Sequence, residues 1–177
     1  MPVSIIPFNM PKPAEIPPHI IDSLKSMQPD EAIAKGMELL LQIEAADTVV
    51  YEQIAAGQAE MNHVAGAGAD ILSGVLEQDR ECSFVDQVGD ATSALLIMGQ
   101  ASVDEESALP NGVLRFMLEG AESGMLGFTY VLPLKNDEGP LLGGLTLIRR
   151  AASGPLNHEQ PNICEALRRE LSQILAA

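Results

Sequence analysis

Cysteine, histidine and an isolated arginine are the residues of this chain whose types suggest chemistry, and their spacing argues against most of it. Cys82 and Cys164 are the only two cysteines. Two thiols so far apart make neither a metal motif nor a disulfide framework in a chain of this size. Cys82 has no second thiol nearby in sequence to resolve an oxidised sulfur. The three histidines, His19, His63 and His158, are also widely separated, and no His-Glu-x-x-His occurs. Arg115 is the only basic residue between Glu81 and Leu134, a span that holds Glu81, Asp86, Asp90, Asp104, Glu105, Glu106, Glu119 and Glu122. Beside Leu114 and Phe116, its guanidinium suits an anionic ligand. The same spacing also suits an i, i+4 pair with Glu119 on a solvated helix face.

Other short patterns do not develop into sites. Gly66-Ala67-Gly68-Ala69-Asp70-Ile71 starts like a dinucleotide fingerprint. It lacks the third glycine and follows a hairpin strand rather than opening a βαβ unit. Gly120-Ala121-Glu122-Ser123-Gly124 is not a nucleophile elbow, because Ala121 stands two before the serine. Asp22-Ser23-Leu24 echoes a carrier-protein attachment triplet but sits in a proline-flanked leader. Asp104-Glu105-Glu106 reads as a solvated acidic loop, with a cation site as the alternative. No catalytic constellation emerges, so the chain is expected to bind rather than catalyse.

Composition bounds the partners. The formal net charge is −15, which repels phosphate backbones and anionic membranes, so neither nucleic acid nor membrane is an expected partner. The basic pairs Arg149-Arg150 and Arg168-Arg169 are too few for a phosphate-tracking surface. Residues 1–10 lack the basic and apolar regions of a signal peptide, and the uncharged stretch Ala91 to Val103 is too short and too polar to span a bilayer. A cytoplasmic location follows as the expectation. Apolar residues make up 46% of the chain, yet it has no Trp, two Tyr and four Phe, so the core must be aliphatic. Eight Met suit either ordinary core filling or a soft ligand pocket.

The elements that must position any site follow from periodicity. Residues 1–28 form a proline-rich arm, with Pro2, Pro7, Pro11, Pro13, Pro17 and Pro18 forbidding regular helix, and with a short helix at His19 to Met27. The arm is either a disordered leader or a segment packed on a partner subunit. Residues 29–177 form the domain. Ile33, Met37, Leu40 and Leu41 predict an amphipathic helix over Asp30 to Glu44, with Asp30 and Glu31 in its first turn. Thr48 to Ile54 and Glu60 to Ala65 predict a hairpin. Phe84, Val88, Ala91, Leu95 and Met98 share one helical face, predicting a helix over Phe84 to Met98. Short helices are expected over Ile71 to Glu77 and from Val113 to Gly120 or Gly124, with a loop from Ser102 to Asn111. Met125 to Leu134 and Leu141 to Arg149 predict strands about a polar turn. Asn157 and Gln160 form a capping-box signal for a closing helix with Ile163, Leu167, Leu171, Ile174 and Leu175 as its apolar stripe.

Gly127-Phe128-Thr129-Tyr130-Val131-Leu132-Pro133-Leu134 resembles the GAF-domain strand that ends in a Pro-Leu pair. Leu142-Gly143-Gly144-Leu145-Thr146-Leu147 is similar to the GAF strand that follows, and the opening helix, hairpin and closing helix fit in order. Together these cover roughly two-thirds of the chain, with element lengths ordinary for a compact domain. The resemblance implies an α+β fold with a central antiparallel sheet of five or six strands. Helices from both termini would pack on one face, with a ligand pocket over the other. Tyr51, His63, Met98, Arg115, Met117 and Tyr130 are the residues expected to line it.

Known GAF chemistries fail on the residues. Cyclic-nucleotide-binding members share an Asn-Lys pair followed by Phe and Asp-Glu, whereas this chain carries Arg149-Arg150 and then Leu156-Asn157-His158-Glu159. Bilin-binding members need a cysteine and aromatic pocket walls, for which Cys82 and an aromatic content of 3% are poor material. The GAF-type methionine sulfoxide reductases rely on clustered cysteines, and a haem would call on His63 alone. The cofactor is therefore unknown. Two functions remain: a small-molecule sensor that signals through dimerisation or a separate output protein, and an interaction module with a vestigial pocket that forms a homodimer through its terminal helices. No output domain is recognisable in the sequence.

Overall fold

The computed structural model describes residues 4–7, 18–55, 58–67, 69, 95–100, 125–135, 139–149, 153–157 and 159–176. In chain order its elements are β1 (Ser4–Pro7), α1 (Pro18–Lys25), α2 (Pro29–Gln42), β2 (Thr48–Ala55), β3 (Gln58–Gly66), β4 (Leu95–Gln100), β5 (Met125–Lys135), β6 (Leu141–Arg149) and α3 (Gln160–Ala176). The strands form one antiparallel sheet in the order β1-β4-β5-β6-β2-β3. Strands β5, β6, β2 and β3 run together, and β4 and β1 extend the sheet beyond β5.

Strand alternation sorts the residues onto two faces. One face carries the rows Val49–Leu147–Tyr130 and Tyr51–Leu145–Leu132, read across β2, β6 and β5. These residues share a core with Ile33, Met37 and Leu40 of α2, Cys164, Leu167 and Leu171 of α3, and Leu24 of α1. Helices α2 and α3 pack against each other and against this face of the sheet. Pro29 opens α2 where a missing N–H costs nothing, and Asp30 and Glu31 complement its dipole. Asn157 caps α3: its Oδ1 accepts from the Gln160 and Glu159 N–H groups, each at 3.0 Å, while its own N–H donates to Gln160 Oε1 at 2.9 Å. That is the capping box expected from Asn157 and Gln160.

The opposite face is buried too, so β6 is buried without interruption from Gly143 to Arg149. A strand covered on both faces loses the polar alternation of a half-exposed one.

Two expectations need correction or extension. Leu95–Gln100 is a strand, not the end of a helix over Phe84 to Met98; Phe84 to Ala94 lie outside the described residues. The continuous run Leu95-Leu96-Ile97-Met98 pairs with β5 on one side and β1 on the other, and that two-sided pairing decides its conformation over a helical spacing. The proline-rich arm contributes β1, whose Ser4 to Pro7 pair with Met98 to Leu95. Pro7 is tolerated there because an outer strand needs no donor on its free side. The expected helices over Ile71 to Glu77 and from Val113, and the loop Ser102 to Asn111, lie outside the described residues.

Candidate ligand-binding site

The face turned away from the helices carries an unusual share of polar groups for a buried surface. Across β5, β6 and β2 its rows are Thr129–Ile148–Thr48, Val131–Thr146–Val50 and Pro133–Gly144–Glu52. Thr48, Glu52, Thr129 and Thr146 are all buried, at 2%, 3%, 0% and 0% exposure. The Thr48 hydroxyl donates to the Ala67 carbonyl, and Thr129 and Glu52 are also engaged. Thr146 differs: its Oγ1 is buried and makes no hydrogen bond. An unmade hydrogen bond at such a site costs about 1–3 kcal/mol, so this hydroxyl is suited to a partner that the chain does not supply. It stands between Val50 and Val131, with Gly144 two residues before it on the same strand face.

The residues expected at the site divide between places. Tyr51 and His63 come together, directly opposite each other in the β2–β3 ladder. They share a cavity of about 280 Å³ with Asp30, Ile33 and Ala34, on the helix side of the sheet. Burial raises the Tyr51 phenol above its ordinary range, and the Asp30 carboxylate adds to the effect. Gly143 is required by the neighbouring backbone, since a Cβ there would lie 2.5 Å from the Glu52 carbonyl oxygen, while Tyr51 Cε2 would sit at ordinary contact distance, 3.4 Å.

Tyr130 is two strands away, in the helix-side core at 1% exposure, where its hydroxyl accepts from the Leu156 N–H at 3.1 Å. Burial raises this phenol as well, against the Leu156 hydrogen bond and the Arg149 charge, which lower it; Cys164 raises it slightly further. Tyr130 thus ties the β6–α3 connection to the sheet. Met98 occupies the register position opposite Phe128 in β5 and Ser4 in β1. Arg115 and Met117 lie outside the described residues.

A larger cleft of about 580 Å³ opens between the end of α2 and the start of α3, lined among others by Asp47, Arg149, Ser153 and Gln160. Its strongest donors are already committed to the backbone. Arg149 donates to the carbonyls of Glu44 (2.6 Å), Gly154 (2.7 Å) and Ser153 (2.9 Å). The Gln160 amide donates to those of Ile43 and Glu44, each at 3.0 Å. Arg149 is therefore a staple between chain segments, not an anion receptor.

Cys164 offers no nucleophile. It is fully buried, and burial, only partly opposed by Arg149, pushes its thiol up to about 12. Cys82 lies outside the described residues. Among the described residues no group of three His, Cys, Asp or Glu side chains could hold a metal, and no helix is long and apolar enough to cross a membrane.

Sequence reasoning does not single out Thr48, Glu52, Thr129 and Thr146, since Thr reads as an ordinary strand former. Glu52 in the middle of a strand otherwise rich in β-branched and aromatic residues is the available signal.

No family model and no curated protein matches the sequence. Solved structures do match in fold. The GAF domain/HD domain protein from Geobacter sulfurreducens superposes with a TM-score of 0.64 at 13% identity, covering 85% of this chain and 94% of that one. The GAF domain of an Acinetobacter phosphoenolpyruvate-protein phosphotransferase gives 0.56 at 11% identity over 89% of each chain. The GAF domain of the cyanobacteriochrome TePixJ gives 0.54 at 16% identity, covering 86% of this chain and 92% of that one. The chain has a GAF-like α+β fold.

Proposed function

We propose that this chain is a sensory domain that binds a small molecule over the sheet face opposite α2 and α3. The observation that carries the reading is the buried, unpartnered hydroxyl of Thr146 on that face. Around it Thr48, Thr129 and Glu52, each engaged within the chain, make the surroundings polar, while Val50 and Val131 supply apolar floor. A few placed polar groups in apolar surroundings are what orient a small ligand. The GAF-like fold supports a regulatory role, with the signal passed by dimerisation or to a separate output protein. Binding rather than catalysis is favoured by the inert setting of Cys164.

The test is a thermal-shift screen of nucleotides, organic acids and tetrapyrroles against the full chain. A ligand present at a hundred times its Kd stabilises by about 2.7 kcal/mol. Binding that weakens in Thr146→Val and Glu52→Gln supports the site. A screen without a stabiliser, joined to a crystal structure whose interior is filled over that face, overturns it.

A further inference from the structure

The cavity between α2 and the β2–β3 hairpin belongs to neither the proposed ligand face nor the staple around Arg149. Three polar side chains meet around it: Asp30 from the first turn of α2, Tyr51 from β2 and His63 from β3. Tyr51 is only 3% exposed. Among the described residues its hydroxyl makes no hydrogen bond, and Asp30 makes no ion pair. Asp30 and His63 are exposed, so their polar ends face solvent, and Tyr51 lines the same cavity beside them. The hairpin shapes it: Tyr51 pairs with His63 but Glu52 pairs with Met61, so Asn62 is an extra residue. Such a bulge re-aims the neighbouring side chains.

The chemistry of the lining selects the ligand. Among the described residues no Lys or Arg lines the cavity, and the charged group there is the Asp30 carboxylate, which repels an anion. A hard dication needs six or more oxygen ligands, which one carboxylate and one phenol do not approach. Ile33 and Ala34 make part of the wall apolar, which suits an organic group. The N-terminus of α2 contributes roughly half a positive charge, but Asp30 and Glu31 in the same turn outweigh it. A volume of about 280 Å³ lies at the lower limit of ligand pockets, so only a few heavy atoms fit.

We propose that Asp30, Tyr51 and His63 form a second pocket, on the helix side of the sheet, for the protonated amine of a small organic molecule. Asp30 supplies the charge, Tyr51 its ring face and hydroxyl oxygen, and His63 an acceptor nitrogen at the rim. Ile33 and Ala34 cover the adjoining carbons.

The experiment titrates the full chain with n-butylammonium at constant ionic strength, by calorimetry and by the imidazole resonances of His63. Butanol and butyrate serve as neutral and anionic probes of the same length. Saturable binding of butylammonium alone is expected, with His63 shifted. Asp30→Asn, at an exposed position and shown folded by circular dichroism, should weaken it at least tenfold. Tyr51→Phe should weaken it several-fold, and Thr146→Val should leave it unchanged. Equal binding of butanol and butylammonium overturns the proposal, as does an Asp30→Asn affinity within twofold of the parent.

Discussion

Arg168 holds Glu165 one turn earlier in α3 with two parallel hydrogen bonds, Nε to Oε2 at 2.8 Å and Nη2 to Oε1 at 2.6 Å, in a setting where both residues are buried. The remaining nitrogen, Nη1, donates to the Pro133 carbonyl at 3.2 Å. The ladder between β4 and β5 ends at Val131, so Pro133 lies beyond it, and Arg168 satisfies a carbonyl that strand β4 does not reach. Arg169 adds a hydrogen bond to Glu165 at 3.1 Å. The group therefore joins α3 to β5 in a place where an unpaired charge is costly.

Removing either partner should destabilise strongly. Burial alone would raise the Glu165 carboxyl, but the hydrogen bonds and charges of Arg168 and Arg169 outweigh it and hold the group below its ordinary value. A carboxyl lowered in the folded state contributes stability that is present above its unfolded value, near 4.5, and lost as pH falls through the folded one. Glu165→Gln should cost about 3–5 kcal/mol at pH 7, since Arg168 is left buried without its counter-charge. Urea unfolding of the variant and parent should converge as pH drops below 4.5 and through the lowered folded value. A constant difference down to pH 2 would contradict this account.

How much of this is legible in the sequence depends on how local each signal is. The β5–β6 pair, α2, and the Asn157–Gln160 cap are specified by residues close together in the chain, and periodicity locates them. Strand β4 escapes such reading because its partners, β1 and β5, come from distant segments. Tyr51 and His63 do meet, but on the other side of the sheet from the one expected. Strand parity puts Tyr51 beside Val49 on the helix face, and sequence alone does not say which parity faces the helices. Arg149 looks like half of a basic pair, yet three backbone carbonyls from loop segments define its role.

The two tyrosines should respond differently to loss of a hydroxyl. In Tyr130→Phe the Leu156 N–H loses its acceptor, at a cost of about 1–2 kcal/mol. In Tyr51→Phe no hydrogen bond among the described residues is lost, so stability should stay within about 0.5 kcal/mol. Denaturant midpoints of the two variants decide the matter, and equal losses would show that Tyr51 is as much a structural anchor as Tyr130.

Cys164 should resist alkylation. Its thiol is buried and held near 12, so almost no thiolate exists at pH 8. In a Cys82→Ser background, iodoacetamide should leave the native protein unlabelled over hours and label it fully in urea. Rapid native labelling would mean that α3 detaches from the sheet readily.

Gly66→Ala should loosen the end of the hairpin. Gly66 has φ +103°, a left-handed conformation that an alanine rarely adopts. A Cβ would also press on the Asp47 carbonyl oxygen, which already accepts from the Ala67 N–H at 2.8 Å. A loss of at least about 2 kcal/mol is expected by thermal or urea unfolding.

Thr146→Val separates a binding role from a structural one, because the two predict opposite signs. If Thr146 serves only the fold, replacing its hydroxyl with a methyl should cost stability, as in any well-bonded buried threonine. Its Oγ1 has no partner, however, so the change removes a buried polar group that gains nothing in the free protein. Valine keeps the β-branch that β6 favours and the shape that packs between Val50 and Val131. The free variant should therefore be as stable as the parent or more stable by about 1 kcal/mol. A ligand that hydrogen-bonds to Thr146 should lose about tenfold in affinity, which corresponds to about 1.4 kcal/mol. Stability gained with affinity lost is the outcome a binding face requires, and a destabilised variant with unchanged affinity would place Thr146 in the scaffold instead.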